Sequence, residues 1–252
     1  MTRWVDTHCH LHLADDDPGA LLDRASAAGV AWVVCPGTDV EGSRTARAIA
    51  EAHPERVLAT AGLHPHEASA WPGQRDEIAE LAATAAAVGE CGLDYYRNLS
   101  PPEDQRIAFR DQLMLATDLD LPVIVHCRDA FADVHDLLES TGTADRAVLH
   151  CWTGGTRWTR RFADLGVTFS YAGPLTFDGG ETVRLGAAVA PRDRVMIETD
   201  TPYLTPPPDR RAPNEPANVV AVGERLAEVW GMSVGEVAAA TTATAGRVFG
   251  RA

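Results

Sequence analysis

Residues Leu121 to Cys151 read LPVIVHCRDAFADVHDLLESTGTADRAVLHC. An apolar run, Pro122–Cys127, gives way to helical patterning over Ala130–Ser140, and a second apolar run follows at Ala147–Cys151. Short runs that are apolar throughout read as strands buried on both faces, because a strand exposed on one side would alternate. Strand, helix and strand in that order predict parallel pairing through a helical crossover. Each of the two runs also carries a histidine near its end, His126 and His150.

The same unit recurs in both directions along the chain. Upstream lie Trp4–Asp6 with helix Pro18–Ala28, Val30–Pro36 with helix Val40–His53, Val57–Leu63 with helix Gln74–Ala87, and Val88–Leu93 with helix Pro102–Leu119. Downstream, Thr156–Leu165 is helical, Val167–Tyr171 leads to helix Gly180–Ala190, and Val195–Glu198 precedes a proline-rich loop from Pro202 to Pro216. Helical stretches Ala217–Trp230 and Ser233–Phe249 close the chain. Eight strand–helix units within 252 residues predict a single α/β domain over 1–252, a (β/α)8 TIM barrel with additional C-terminal helices. A doubly wound open sheet is the rival, but no G-x-G-x-x-G follows an early strand.

Composition narrows the function classes. A hydrophobic fraction of 45% suits a globular core, and no apolar run nears the roughly 20 residues of a membrane span. The N-terminal residues lack a signal-peptide apolar region, so a cytoplasmic protein is expected. Five scattered cysteines without a C-x-x-C pair argue against a disulfide framework. No heptad pattern is visible, and a monomer is the default expectation. A net charge of −14 disfavours broad attraction to nucleic acid or to anionic membrane, yet bound cations can dominate a local field. All 22 basic residues are arginine, which excludes any Schiff-base or carboxylated lysine.

Chemistry in such a barrel sits at the C-terminal strand ends. Six of these positions carry histidine or acid: His8 and His10, His64 and His66, Glu90, His126, His150, and Glu198 with Asp200. Unpaired buried polar groups are costly, so a convergence of this kind needs a shared purpose. His8 and His10 stand two apart in an extended segment and face one side. His8, His10 and Asp200 are expected to hold one divalent ion, and His126 and His150 a second, with Glu90 bridging. The donors suit Zn, Mg, Mn, Fe, Co or Ni without choosing among them. Cys9, Cys91, Cys127 and Cys151 lie beside these positions, but alternation turns them outward to pack against helices. Cys35 has no polar neighbour in sequence, while His53 and His135 fall in helices and are expected at the surface.

Taken together, DTHCHLH from Asp6, HPERVLATAGLHPHEA from His53, GECGLDYYRNLSPPEDQ from Gly89, LPVIVHCRDA from Leu121, LHCWTGG from Leu149, IETDTPYLTP from Ile197 and PNEPANV from Pro213 resemble the TatD family of metal-dependent deoxyribonucleases. The likeness runs nearly end to end. It implies a 3′–5′ exonuclease acting on single-stranded DNA, with His8, His10, Glu90, His126, His150 and Asp200 as ligands of two ions. It further implies that His64, Arg128, Asp94 and Tyr95 face the substrate. Two positions depart from the family pattern: His12 stands where Asp or Asn is usual, and Thr244 where Asn is common.

Two-metal sites generate a nucleophile from water near neutral pH, and Asp200 is the expected general base. Arg128 is expected on a phosphate or in an ion pair with Asp94 or Asp129, and Glu198 on a ligand histidine. The same centre would equally serve hydrolysis of an amide, ester or lactone. A non-catalytic metal-binding protein is the third reading, disfavoured by the intact ligand set.

Overall fold

The structure, a computed structural model, describes residues 3–251. Eight strands alternate with helices in chain order: β1 (Trp4–Asp6), α1 (Pro18–Ala27), β2 (Val30–Cys35), α2 (Val40–Ala52), β3 (Val57–Ala59), α3 (Trp71–Ala82), β4 (Val88–Asp94) and α4 (Pro102–Asp118). The second half continues with β5 (Val123–Arg128), α5 (Phe131–Thr141), β6 (Ala147–Leu149), α6 (Thr156–Asp164), β7 (Thr168–Tyr171), α7 (Glu181–Val189) and β8 (Val195–Ile197). Helices α8 (Val219–Trp230) and α9 (Val234–Phe249) end the chain.

All pairings are parallel, β1-β2-β3 in one arc and β4 through β8 in the other. The arcs join at two places. Gly89 donates its N–H to Ala61 O at 2.8 Å between β3 and β4, while Thr7 donates to Ile197 O at 3.1 Å between β8 and β1. The expected (β/α)8 TIM barrel is therefore the fold, closed by single bridges rather than full ladders at the two seams.

Local sequence explains the element boundaries. Asp17 and Asp39 cap α1 and α2 by accepting from Ala20 N (3.0 Å) and Gly42 N (2.6 Å), and Ser233 with Glu236 forms a capping box on α9. Two elements differ from expectation. Helix α3 begins at Trp71, where Pro72 occupies the first turn, and stops at Ala82 although alanines continue to Ala87. Ala86 N instead pairs with Ala59 O at 2.9 Å, so the entry into β4 overrides alanine's helix propensity. Strand β3 ends at Ala59, short of Leu63, and the rest of that run becomes the loop that carries His64.

The main core lies between barrel and helices and includes Trp4, Phe109, Leu113, Trp152, Phe162 and Phe169. His135 belongs to that layer and not to the surface: it is 7% exposed, with its ring centroid 5.4 Å from that of Phe162. Among the described residues no helix is long and apolar enough to cross a membrane.

Candidate metal centre

Five strands, β1, β4, β5, β6 and β8, and the loop after β3 bring the polar residues together. The segment after β1 stays extended, with Cys9 N donating to Val34 O (2.9 Å) and His10 N to Thr201 O (2.8 Å). His8 and His10 consequently point inward together. Buried Asp6 ties this segment to the end of β8, accepting from His8 N (3.2 Å), Thr199 N (2.9 Å) and Thr199 Oγ1 (2.6 Å). Asp200 is held in turn by its N–H to His8 O at 2.9 Å.

Glu90 reaches the axis through an irregularity in β4. Val88 pairs with Val123 but Cys91 with Val125, so one extra residue is accommodated where Glu90 sits. Such bulges re-aim a side chain. Gly89 and Gly92 flank it at φ +129° and +138°, and a Cβ on them would lie 2.6 Å from Ile124 O and 2.0 Å from His126 O. Only glycine lets β4 approach β5 this closely.

Two clusters of donors share Glu90. Its Oε2 lies 3.2 Å from His8 Nε2 and 3.5 Å from His10 Nε2, and Asp200 Oδ1 lies 3.8 and 3.5 Å from the same nitrogens. Its Oε1 lies 2.9 Å from His150 Nε2, 3.0 Å from His126 Nδ1 and 3.3 Å from His64 Nε2.

Outer contacts set the tautomers. His126 turns Nε2 toward Asp94 Oδ2 (3.1 Å), and His150 turns Nδ1 toward Glu198 Oε1 (3.2 Å). A carboxylate only accepts, so each ring donates outward and presents a lone pair to the other, 3.1 Å apart, and to Glu90. His64 is wired the opposite way. Its Nδ1 accepts from His66 N at 3.1 Å, which leaves Nε2 to carry the proton of the neutral ring. His64 therefore faces Glu90 as a donor.

The electrostatics agree. Burial opposes charging of His126 and His150, yet Asp94 and Glu90 raise His126, and Glu90 and Glu198 raise His150. Burial equally opposes ionisation of Glu90, and the surrounding His150, His64 and His8 overcome it and hold its pKa well below the usual range. Positive charge is thus stabilised between these rings, and either a shared proton or a metal cation can supply it. His64 is pushed down to about 4 by burial and stays neutral. The donor set of imidazole and carboxylate fits a divalent metal.

The remaining expectations fall in several places. Asp94 is 0% exposed, and besides His126 it meets His66 Nε2 (3.1 Å), Tyr96 N (3.1 Å) and Arg97 N (2.7 Å). Its oxygens are taken up by these partners, out of contact with solvent. Tyr95 swings to α5, donating its hydroxyl to Asp133 Oδ2 at 2.7 Å, while its neighbour Tyr96 is the exposed one. Arg128 forms no ion pair among the described residues; its Cζ lies 4.1 Å over the Tyr96 ring. Cys9, Cys35 and Cys91 are in the core, and Cys127 packs against it. Cys151 is half-buried at φ +43° and donates its backbone N–H to Glu198 Oε1 at 2.7 Å. Cys35 does have a polar neighbour, His12 Nδ1 at 3.6 Å, and burial raises its thiol to about 12. His12 stacks edge-on behind His10, with centroids 5.7 Å apart. Thr244 is buried, its hydroxyl donating within reach of Asp193 O (3.2 Å) and Ala240 O (3.1 Å), far from the centre in chain position.

The chain is similar to known proteins over nearly its whole length. The family model of TatD related DNases matches residues 5–250. A 3′-5′ ssDNA/RNA exonuclease TatD of Cronobacter sakazakii is 39% identical over 93% of this chain and 92% of its own length. YabD of Bacillus subtilis, named a metal-dependent hydrolase, is 36% identical over 97% and 98%. The crystal structure of the Escherichia coli TatD homologue YJJV superposes with a TM-score of 0.90 at 29% identity, covering 100% of this chain and 99% of that one. The chain belongs to the TatD-related DNase family and is, with it, a metal-dependent hydrolase.

Proposed function

We propose that the protein is a 3′–5′ exonuclease that hydrolyses phosphodiester bonds of single-stranded nucleic acid with two divalent ions. His8, His10 and Asp200 would hold one ion, His126 and His150 the other, and Glu90 both. The observation that carries this reading is the division of the Glu90 carboxylate, one oxygen to each donor cluster. The substrate class draws its support from relatives at 36–39% identity that bear the name 3′-5′ ssDNA/RNA exonuclease.

When bound, the ions supply Lewis acidity toward a phosphoryl oxygen and lower the pKa of water. The rest of the chemistry falls to side chains. Asp200 keeps 15% side-chain exposure beside His8 and His10. Burial would raise its pKa, but His10, His8 and His150 hold it below the ordinary carboxylate value, so it is an ionised base at neutral pH. Its role is to take the proton of the attacking water. The single Nε2–H of neutral His64 would pass from Glu90 Oε1 to a non-bridging phosphate oxygen when substrate binds. Arg128, exposed at the end of β5, adds a charge-assisted contact to a phosphate.

The test compares metal-stripped and metal-reconstituted protein on 3′-ended single-stranded oligonucleotides, a phosphomonoester and a panel of amides. Stripped protein is expected to be inactive, and reconstituted protein to release mononucleotides from the 3′ end. Turnover of amides with intact oligonucleotides would overturn the reading.

A further inference from the structure

Among the described residues two aromatic side chains are exposed, Tyr96 at 62% and Tyr203 at 53%, and each follows a strand that feeds the metal centre. Every other described Trp, Phe and Tyr is buried or half-buried. The Tyr203 ring stands edge-on to His10, centroids 6.4 Å apart. The Tyr96 ring lies under Arg128, two residues beyond His126.

Both rings are carried on tethered backbone. Tyr96 N donates to Asp94 Oδ1 at 3.1 Å, and Tyr203 N donates to Asp200 O at 2.9 Å. Tyr203 O accepts from the buried Asn214 side chain at 2.6 Å, and the following Leu204 carbonyl packs where Gly173 leaves no room for a Cβ. Each tyrosine is thus fastened to an acidic residue of the centre, one beside each donor cluster. An aromatic ring fixed beside a catalytic centre and more than half exposed presents a face to a ligand. Nucleobases stack on such faces whatever their sequence.

We infer that Tyr203 and Tyr96 are base-stacking platforms on the two sides of the scissile phosphate, Tyr203 for the 3′-terminal base and Tyr96 for the penultimate one. The inference rests on the nuclease reading above. The polarity follows from charge. Arg128 lies over one face of the 62% exposed Tyr96 ring, placing a cation where a continuing strand brings its next phosphate. No arginine stacks on Tyr203 among the described residues, and a terminal nucleoside has no further phosphate to neutralise.

The test measures kcat/KM for release of the 3′-terminal nucleotide by metal-loaded protein. Three single-stranded oligonucleotides are compared: fully base-bearing, abasic at the 3′-terminal residue, and abasic at the penultimate residue. Tyr203→Leu is expected to lower kcat/KM about tenfold more on the base-bearing strand than on the terminally abasic one. Tyr96→Leu is expected to show the same excess against the penultimate abasic strand only. Tyr203→Phe and Tyr96→Phe, which keep the ring, are expected to restore most of the loss. Equal losses on base-bearing and abasic strands, an exchanged pattern, or Phe variants as poor as Leu would overturn the inference while leaving the nuclease reading standing. Wild-type protein that releases nothing from any of the three strands would overturn both.

Discussion

Asp94 and His126 meet at 3.1 Å, Oδ2 to Nε2, across 32 positions of sequence. That contact fixes the imidazole tautomer and aims the Nδ1 lone pair at Glu90. In the proposed two-ion centre Asp94 would therefore orient a metal ligand. Carboxylates in this position raise ligand basicity, and their loss commonly weakens metal binding ~10–100-fold.

Asp94→Asn is accordingly expected to weaken the ion on the His126 side by that factor and to leave the ion on the His8 side nearly unaffected. Competition with a chromophoric chelator measures both. If the variant bound metal normally and raised only KM, Asp94 would be a substrate contact instead.

Asp200→Asn separates the base from the ligand. The amide keeps the oxygen that faces His8 and His10 but cannot take a proton. Turnover is expected to fall by roughly 10²–10⁴, with a far smaller change in metal content. Near-normal turnover at full metal occupancy would remove Asp200 from the proton-transfer step.

Gly92 offers a test of how the fold places Glu90. A methyl group there would sit 2.0 Å from His126 O at a backbone φ of +138°. Gly92→Ala is expected to destabilise the protein by about 3 kcal/mol or more and to reduce metal binding along with it. Denaturant melts of the metal-stripped protein read the first effect without the second. An unchanged midpoint would show that β4 has slack beside Glu90.

The barrel was legible because strands buried on both faces spell themselves out as apolar runs, and their ends name the polar residues that converge. His8, His10, Glu90, His126, His150 and Asp200 all come from that simple rule, and the structure gathers them around one carboxylate. The rule stops working where the chain leaves the strand. Asp94 accepts from the N–H groups of Tyr96 and Arg97, and in that turn Tyr95 reaches Asp133 on α5 while Tyr96, which the sequence did not single out, is the exposed ring. His64 depends on the N–H of His66 for its tautomer, a local bond that strand counting does not see. His135 looked like a surface residue because helical position alone does not reveal that Phe162 packs over it.

One carboxylate serving two ions would fix the metal stoichiometry, which elemental analysis of reconstituted, desalted protein reads directly. Glu90→Gln keeps the side-chain volume and removes the shared charge. Wild-type protein is expected to retain two equivalents of divalent metal, and Glu90→Gln one or fewer with hydrolysis lost. Two tightly held equivalents in Glu90→Gln would show that Glu90 does not hold both ions.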